Sequence, residues 1–360
     1  MELKIKFKFN DEIKEGNYSA KYFLISQQIL ENANINHIST LRFKHFNDNV
    51  VVAGIEEVLQ LIKFAIKPNE YEKLKIKYLP DGSITNNDQI ILTIEGEYKK
   101  FGYLENIIDS ILSRRSSIAT NAHKVISLVG AKRVIYMGDR SDDYLLQPYD
   151  GYSAYIGGIR NFVSEASVKF LREANVSDFM VIGTIPHALI QQFEGNLANT
   201  LKAYANCFPN YPVVGLIDFH NDCLQELIDL KEAGITKLDY VRIDTSKKLV
   251  DKSLQKIHYY SQDKQLYGVN KYLIQKVRSK LDELGYQNTK IIISSSINAQ
   301  IIEEFEREKI PVDIYGIGKY FTEVNVNYTG DLIKLNGKYL AKAGRDQNID
   351  KYLQEMKEIE

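Results

Sequence analysis

The residue whose sequence context best suits chemistry is His187, in the segment Gly-Thr-Ile-Pro-His. Thr184 is a good N-cap and Pro186 suits a first helical turn, so His187 is predicted in the first turn of a helix. The helix dipole disfavours protonation there, and a neutral imidazole is a competent nucleophile or base. A phosphate group on the ring would be stabilised by the same helix end. The alternative is a hydrogen-bonded, partly buried histidine without a reaction to perform.

Acidic residues follow two other apolar segments. Asp218 follows residues 213–217, and Asp244 follows residues 240–243. Such carboxylates hold Mg²⁺ or accept hydrogen bonds from sugar hydroxyls, and the alternative for each is N-capping of the next helix. Arg242 lies two residues before Asp244, which places both side chains on one face of a strand. An inward arginine–aspartate couple is costly unless it is paired or binds a ligand.

Two loops rich in small residues are candidates for phosphate binding, namely Ser294-Ser295-Ser296 and Gly316-Ile317-Gly318. A Gly-x-Gly that enters a helix lets backbone N–H groups close on a phosphate, and serine hydroxyls add further donors. Adjacent strand ends of this kind form the phosphate cradle of many (β/α) barrels. The alternative is a pair of tight left-handed turns that bind no ligand.

Arginines occur at two further places. Residues 113–121 are predicted to be helical and contain Arg114 and Arg115. Adjacent arginines do not share a helix face, and a solvated helix charge is the alternative to a functional role. Arg140 lies beyond the carboxyl end of a strand predicted at residues 133–137.

Length, charge and cysteine content limit the class of protein. The chain has 360 residues, enough for roughly two to three domains. Its formal charge of −1 excludes a globally basic nucleic-acid surface, so positive charge for a polyanion must be gathered locally. No apolar run reaches the roughly 18 residues of a membrane helix, and the first residues lack the apolar core of a signal peptide. Cys207 and Cys223 form no Cys-x-x-Cys pair, which favours a reducing cytoplasm.

The candidate residues must be positioned by strands that alternate with helices after about residue 105. This alternation predicts a parallel sheet with right-handed crossovers, and the number of strands favours an incomplete (β/α) barrel over a small doubly wound sheet. Ligands of such folds bind at the carboxyl ends of the strands. The predicted strands are residues 133–137, 179–182, 213–217, 240–243, 290–293 and 312–315.

The two ends of the chain have a different, mixed α and β character. A strand is predicted at residues 3–9 and a helix at 20–32. Near the other end, Asn336-Gly337 predicts a hairpin that returns to the first domain. We therefore expect a discontinuous α/β sandwich domain, residues 1–118 with 322–360, and a barrel domain, residues 119–321.

The order of the motifs resembles that of the nicotinate phosphoribosyltransferases, in particular their short archaeal and bacterial forms. The likeness extends from about residue 12 to about residue 345. Each motif alone is weak, and their shared order is specific. The motifs are FGYLENIIDSILSRRSSIATN, MGDRSDDYLLQPYDGYSAYIGG, GTIPHALI, LIDFHND, VRIDTSKKLVDKSL, KIIISSSIN and VDIYGIGKY.

The resemblance implies an enzyme of NAD biosynthesis or salvage that joins nicotinate to 5-phosphoribosyl-1-pyrophosphate, giving nicotinate mononucleotide and pyrophosphate. Many members couple this reaction to ATP hydrolysis through a phosphohistidine, and Mg²⁺ is the implied cofactor. The implied protein is cytoplasmic, binds no nucleic acid or membrane, and forms a homodimer or higher homo-oligomer with a shared active site.

The resemblance also assigns roles to individual residues. His187 falls on the phosphorylated histidine, and Tyr22 falls on a tyrosine that a neighbouring subunit stacks on the nicotinate ring. The implied catalytic residues are His187, Asp218 and Asp244, with Mg²⁺ held by the two aspartates. The implied substrate contacts are Tyr22, Arg115, Arg140, Thr184 and Arg242, and the implied phosphate contacts are Ser294, Ser295, Ser296, Gly316 and Gly318.

Two other kinds of protein fit the same pattern. A nicotinamide or quinolinate phosphoribosyltransferase shares the fold and the phosphate loops, although the sequence shows no run of basic residues for the second carboxylate of quinolinate. A non-catalytic ligand-binding relative is the other alternative. It is suggested by the loop Ser294-Ser295-Ser296, which reads Ser-Gly-Gly in the family.

Overall fold

Two large β-sheets organise the chain, one parallel and one antiparallel. They belong to residues 5–345 and 349–359, which the computed structural model describes. The strands, in chain order, are β1 Ile38–His45, β2 Val50–Val51, β3 Lys75–Tyr78, β4 Ile84–Thr85, β5 Ile90–Glu97, β6 Val134–Tyr136, β7 Asn161–Phe162, β8 Met180–Val181, β9 Val214–Leu216, β10 Tyr240–Ile243, β11 Lys290–Ile293, β12 Ile314–Ile317, β13 Tyr328–Leu335, β14 Lys338–Tyr339 and β15 Lys357–Glu358.

Helices cover both sheets, and within the described ranges none is long and apolar enough to cross a bilayer. In chain order they are α1 Lys21–Asn32, α2 Ile55–Ala65, α3 Pro68–Tyr71, α4 Tyr98–Phe101, α5 Glu105–Val129, α6 Gln147–Ile156, α7 Lys169–Glu173, α8 His187–Gln192, α9 Leu197–Cys207, α10 Cys223–Glu232, α11 Lys252–Ser261, α12 Lys271–Glu283, α13 Ala299–Arg307, α14 Lys319–Thr322 and α15 Asp350–Leu353.

The parallel sheet is an incomplete barrel whose described strands run in the order β8-β7-β6-β12-β11-β10-β9. Neighbouring strands lie in parallel register, with Arg242 opposite Ile292 and Ile292 opposite Ile314. The barrel predicted from the strand–helix alternation is confirmed. The sequence missed β7, which has only two residues and so no periodicity to detect.

The antiparallel sheet combines strands from both ends of the chain. β1 lies between β13 and β5, and its side chains Leu41 and Phe43 are fully buried in a core shared with Val58 and Leu61 of α2. The predicted hairpin at Asn336-Gly337 joins β13 to β14. A discontinuous α/β layer built from both ends is therefore confirmed as part of the fold class.

One long helix, α5, takes part in both hydrophobic cores. Its first half contributes Ile108 and Leu112 to the core under the antiparallel sheet, and its second half contributes Ile118 and Val125 to the core of the barrel. A helix of this length spans about 37 Å. Because a single element carries residues of both cores, it fixes the position of the sandwich layer relative to the barrel.

The strand predicted at residues 3–9 is wrong for its described part, residues 5–9, which contain no strand. Ile5 and Phe7 are buried in the core of the barrel, where the Phe7 ring lies 5.1 Å from that of Phe170. The apolar alternation in this segment therefore reflects side chains that dock onto a core from an irregular backbone.

Candidate active site

A cleft of about 2170 Å³ opens at the carboxyl ends of the parallel strands. Apolar barrel residues such as Ile135, Leu216 and Ile292 form part of its wall. Most of the candidate residues from the sequence meet here, although they come from distant segments. Those in the wall of the cleft are Arg140, Thr184, His187, Arg242, Asp244, Ser294, Ser295, Ser296, Gly316 and Gly318.

Arg242 forms the centre of a hydrogen-bonded network inside the cleft. Its Nε donates to Ser294 Oγ at 2.9 Å, and its Nη1 donates to Thr184 Oγ1 at 3.0 Å. Its Nη2 donates to Asp244 Oδ2 at 3.1 Å, and Ser294 Oγ donates to Asp244 Oδ1 at 2.6 Å. The couple expected from the spacing of Arg242 and Asp244 is thus present. The network holds the Asp244 carboxylate in a fixed orientation beside the cleft.

His187 is the first residue of α8 and faces the cleft with Asp218 behind it. His187 Nε2 donates to Asp218 Oδ1 at 3.0 Å, while the side chains of His187 and Asp218 are 41% and 6% exposed. Asp218 does not belong to the wall of the cleft formed by the described residues. Because an ionised carboxylate only accepts, Nε2 carries a proton and Nδ1 holds the lone pair of the neutral ring.

The expected effect of the helix end on His187 is wrong in sign. The hydrogen bond to Asp218 raises the pKa of His187, and burial opposes this rise only in part. The six-residue helix α8 is also not capped by a side chain, since Thr184 accepts from Arg242 instead. The hydrogen bond to Asp218 is therefore the largest influence on the pKa of His187.

The two phosphate-loop candidates differ in backbone geometry. Ser295 and Ser296 have φ values of 76° and 59°, a conformation that costs energy for residues with a Cβ atom. Gly316 is not in a loop as expected, because it lies within β12. Neither Gly316 nor Gly318 has a positive φ; a Cβ at Gly318 would lie 2.7 Å from the carbonyl oxygen of Met137, and one at Gly316 would clash with the Met137 side chain. Both glycines permit close packing on Met137.

Arg114 and Arg115 both have carboxylate partners, so the alternative of a solvated helix charge does not hold. Arg115 donates to Glu57 from Nε at 2.7 Å and from Nη2 at 3.0 Å, and it is only 6% exposed. It does not reach the wall of the cleft. Arg114 donates to both oxygens of Asp150. The structure therefore gives Arg115 a buried ion pair between α5 and α2.

Tyr22 also lies away from the cleft of its own chain. It is on α1, is 62% exposed, and packs its ring 4.3 Å from that of Phe23. Its contact with the pyridine ring, expected from a neighbouring subunit, remains a prediction.

Lysines form part of the rim of the cleft, and the sequence analysis did not single them out. They are exposed in the described structure and share the rim with Arg140. A signal was available for Lys247 and Lys248, which lie four and five residues beyond the end of β10, and for Lys319, which follows Gly318. These cations give the rim a local positive potential although the formal charge of the chain is −1.

No group of three or more His, Cys, Asp and Glu side chains arranged for a metal ion is present in residues 5–345 and 349–359. Asp218 is engaged by His187, and Asp244 by Arg242 and Ser294. The chain therefore offers single carboxylates at separate strand ends instead of a closed metal cage.

Comparisons with known proteins agree with this fold. The family described as "Quinolinate phosphoribosyl transferase, N-terminal domain" matches residues 27–116. The crystal structure of a nicotinate-nucleotide pyrophosphorylase from Pyrococcus furiosus superposes with a TM-score of 0.77 and 26% identity, covering 95% of this chain and 81% of that one. The chain is similar in sequence and fold to type II phosphoribosyltransferases. A human nicotinic acid phosphoribosyltransferase shares the fold at a TM-score of 0.62 and 15% identity, over 90% of this chain and 76% of that one.

Two curated nicotinate phosphoribosyltransferases are similar to this chain at low sequence identity. A nicotinate phosphoribosyltransferase of Bacillus subtilis is 24% identical over 262 residues, covering 71% of this chain and 48% of the relative. One of Mycobacterium tuberculosis is 25% identical over 233 residues, covering 63% of this chain and 45% of the relative. The chain thus spans about half the length of the curated relatives it matches.

Proposed function

We propose that the protein is a nicotinate phosphoribosyltransferase that couples its reaction to ATP hydrolysis through His187. The observation that carries the proposal is the cleft in which a histidine backed by Asp218 and a carboxylate held by Arg242 face the same space. The relatives named above, which act on pyridine nucleotides by name, support the same reaction class. The reaction would join the ring nitrogen of nicotinate to C1 of the ribose and release pyrophosphate.

The cleft suits phosphoribosyl pyrophosphate, a polyanion with a phosphate at each end of the ribose. Ser295 and Ser296 offer hydroxyl and N–H donors for the 5-phosphate at one side of the cleft, while Ser294 is occupied by Asp244 and by the carbonyl of Ile243. Arg140 and the rim lysines offer positive charge for the pyrophosphate. Asp244, whose two oxygens are oriented by Arg242 and Ser294, would accept hydrogen bonds from the ribose hydroxyls. The chain then mainly orients the substrates and stabilises the leaving group.

Mg²⁺ fits this cleft as an ion that arrives with its phosphates. Magnesium prefers oxygen ligands and is usually bound through one or two carboxylates plus substrate phosphates. Asp244 faces the cleft and Asp218 lies close behind His187, and both supply such oxygens. When bound, the ion would neutralise charge on the departing pyrophosphate.

His187 would accept a phosphoryl group from ATP. Its Nε2 proton is held by Asp218, so the lone pair of Nδ1 would attack the γ-phosphorus, forming a P–N bond while the bond to the ADP oxygen breaks. Asp218 would then stabilise the charged ring through the same hydrogen bond. Water would later cleave the P–N bond, giving inorganic phosphate, and this hydrolysis would favour product formation.

A quinolinate phosphoribosyltransferase is the second candidate, because the matched family domain bears that name. That domain, residues 27–116, belongs to the sandwich layer and lies outside the wall of the cleft, so it says little about the ring. Inside the cleft, Arg242 is already paired with Asp244. Fewer cations are therefore left for a second ring carboxylate, which favours nicotinate.

The proposal includes a second copy of the chain in the assembly. Tyr22, Ile25 and Ile29 lie at helical spacing on α1 and are 62%, 47% and 60% exposed, which makes an apolar stripe. We place this stripe against the neighbouring subunit, with Tyr22 directed to that subunit's cleft. The mass in solution and the Michaelis constant for nicotinate of Tyr22→Ala test this arrangement together.

Release of pyrophosphate tests the function directly. The purified protein is given phosphoribosyl pyrophosphate with nicotinate, nicotinamide or quinolinate in parallel, with and without ATP. We expect release with nicotinate, and stimulation by ATP that is lost in His187→Ala while a slow uncoupled reaction remains. Release with quinolinate alone would assign the second candidate. No release with any base would indicate a non-catalytic ligand-binding relative.

A further inference from the structure

A short loop carries Arg140 from the end of β6 to the rim of the cleft. Gly138–Arg140 form a single 3₁₀ turn, and the exposed Arg140 side chain belongs to the wall of the cleft. In the described part of the chain, no hydrogen bond or ion pair holds its guanidinium. The loop itself must therefore determine where this cation lies.

Arg114 on α5 is a fixed point beside this loop. Its Nε donates to Asp150 Oδ1 at 2.9 Å, and its Nη2 donates to Asp150 Oδ2 at 2.7 Å. Asp150 lies on α6 and is 2% exposed. A bidentate contact with a buried carboxylate fixes both the position and the plane of the Arg114 guanidinium.

Asp142 ties the loop to this fixed point. Arg114 Nη2 also donates to Asp142 Oδ2 at 2.8 Å. The other oxygen of Asp142 accepts from the N–H of Asp143 at 2.8 Å, so one carboxylate joins the loop backbone to the helix. These contacts, first that of the Asp143 N–H and then that of Arg114, lower the pKa of Asp142. It is ionised at neutral pH.

We propose that Asp142, clamped by Arg114, is a positioning residue that holds Arg140 where it binds the pyrophosphate of phosphoribosyl pyrophosphate. This inference rests on the proposed function, because it assumes that substrate. An arginine on a loop that is ordered before binding loses less conformational freedom when the anion arrives. The alternative is an ordinary surface ion pair, which contributes little.

The sign of one substitution separates these two views. Asp142→Asn removes a negative charge from the neighbourhood of a bound polyanion, so simple Coulomb repulsion predicts tighter binding. Loss of positioning predicts weaker binding. We expect the dissociation constant for phosphoribosyl pyrophosphate, measured by calorimetry without a base, to rise about fivefold to tenfold. The Michaelis constant for nicotinate and the melting temperature should stay unchanged, and Asp142→Glu should restore part of the affinity.

Glu165→Gln is the matched control, because Glu165 forms a bidentate pair with Arg172 on the barrel surface, away from the cleft. This variant should bind phosphoribosyl pyrophosphate as the wild-type protein does. Unchanged or tighter binding by Asp142→Asn would overturn the proposal.

A double-mutant cycle tests whether Asp142 acts through Arg140. If it does, Asp142→Asn should weaken binding in the wild-type background and have little further effect in Arg140→Ala. Equal effects in both backgrounds would overturn the proposal. A wild-type protein that binds phosphoribosyl pyrophosphate but transfers it to no base would refute the proposed function alone, since the cycle measures binding only.

Discussion

Two arginine–carboxylate networks of this protein have similar contacts and different surroundings. Between α5 and α2, Arg115 and Glu57 meet at 2.7 Å with side chains 7% and 5% exposed, outside the wall of the cleft. In the barrel, Arg242 and Asp244 meet at 3.1 Å with side chains 14% and 16% exposed, and both face the cleft. The distances alone would not separate a structural pair from a functional one.

The two networks differ in whether a ligand in the cleft can reach their polar atoms. Arg115 and Glu57 are enclosed by protein, so their interaction contributes to the stability of the fold. Asp244 is oriented by Arg242 and Ser294 but still borders open space, so it can act on a ligand. Access to the cleft therefore distinguishes the two networks better than the strength of the ion pair.

The largest effect is expected when the enclosed pair of Arg115 and Glu57 is broken. Glu57→Gln leaves Arg115 buried without its bidentate counter-ion, and we expect the free energy of unfolding to fall by about 3 kcal/mol. Urea unfolding followed by circular dichroism measures this loss. The exposed pair Arg172–Glu165 supplies the control, Glu165→Gln, which should unfold like the wild-type protein. Equal unfolding of Glu57→Gln and wild type would contradict the structural role of the pair.

The second largest effect is expected in the network of Arg242 and Asp244, which faces the cleft. Asp244→Asn should lower the rate of pyrophosphate release about 100-fold, because the amide cannot replace the oriented charge, while the melting temperature changes little. The control is Asp239→Asn, at the opposite end of the same strand, where Asp239 Oδ2 accepts from the N–H of Val213 at 2.8 Å. That variant should keep its turnover. Near-normal turnover of Asp244→Asn would move the active site elsewhere.

A pH experiment tests whether Asp218 controls the protonation of His187. Since Asp218 raises the pKa of His187, the stabilisation from this pair is complete below the unfolded pKa of about 6.5 and is lost as pH rises through the folded value. Phosphorylation needs the neutral ring, so stimulation by ATP should increase with pH through that folded value. Asp218→Asn should shift both the NMR titration of His187 and the ATP dependence to lower pH. An unshifted titration would exclude Asp218 as the cause.

The smallest expected effect lies in the loop beside Asp244. Ser295→Gly and Ser296→Gly each remove a Cβ atom from a left-handed backbone, and we expect each to raise the free energy of unfolding by about 0.5–1 kcal/mol. Lys309→Gly, with a φ of 55° just beyond the end of α13, is the control and should change stability in the same direction. Lower stability of the loop variants would show that the serine side chains stabilise the fold.

The sequence predicted the barrel better than the sandwich for a physical reason. Parallel strands buried on both faces consist of apolar runs, as in residues 290–293. β1 was not predicted, although Arg42 and Lys44 alternate with its apolar residues; both are buried and pair with Asp331 and Asp88. A charged residue that is buried through a distant partner has no local signal.

The same limit applies to the site. The couple of Arg242 and Asp244 could be predicted because two residues of one strand share a face. The partners of Arg114 could not, since Asp142 and Asp150 are 28 and 36 positions away along the chain. Likewise, nothing local in the sequence shows that Asp218 supports His187, 31 positions away. Contacts between residues that only the tertiary fold brings together can be found only from the structure.

The shared helix α5 has a consequence for anyone who would recombine this protein with a relative. A chimaera usually exchanges domains at a flexible linker, but the boundary between the two cores here falls inside a continuous helix, between Leu112 and Ile118. The stretch between them holds Arg114 and Arg115, and each donates hydrogen bonds to a carboxylate on a different neighbouring helix. Any crossover must therefore carry both arginines together with their acidic partners, so the two halves of the fold are exchangeable only as a matched set.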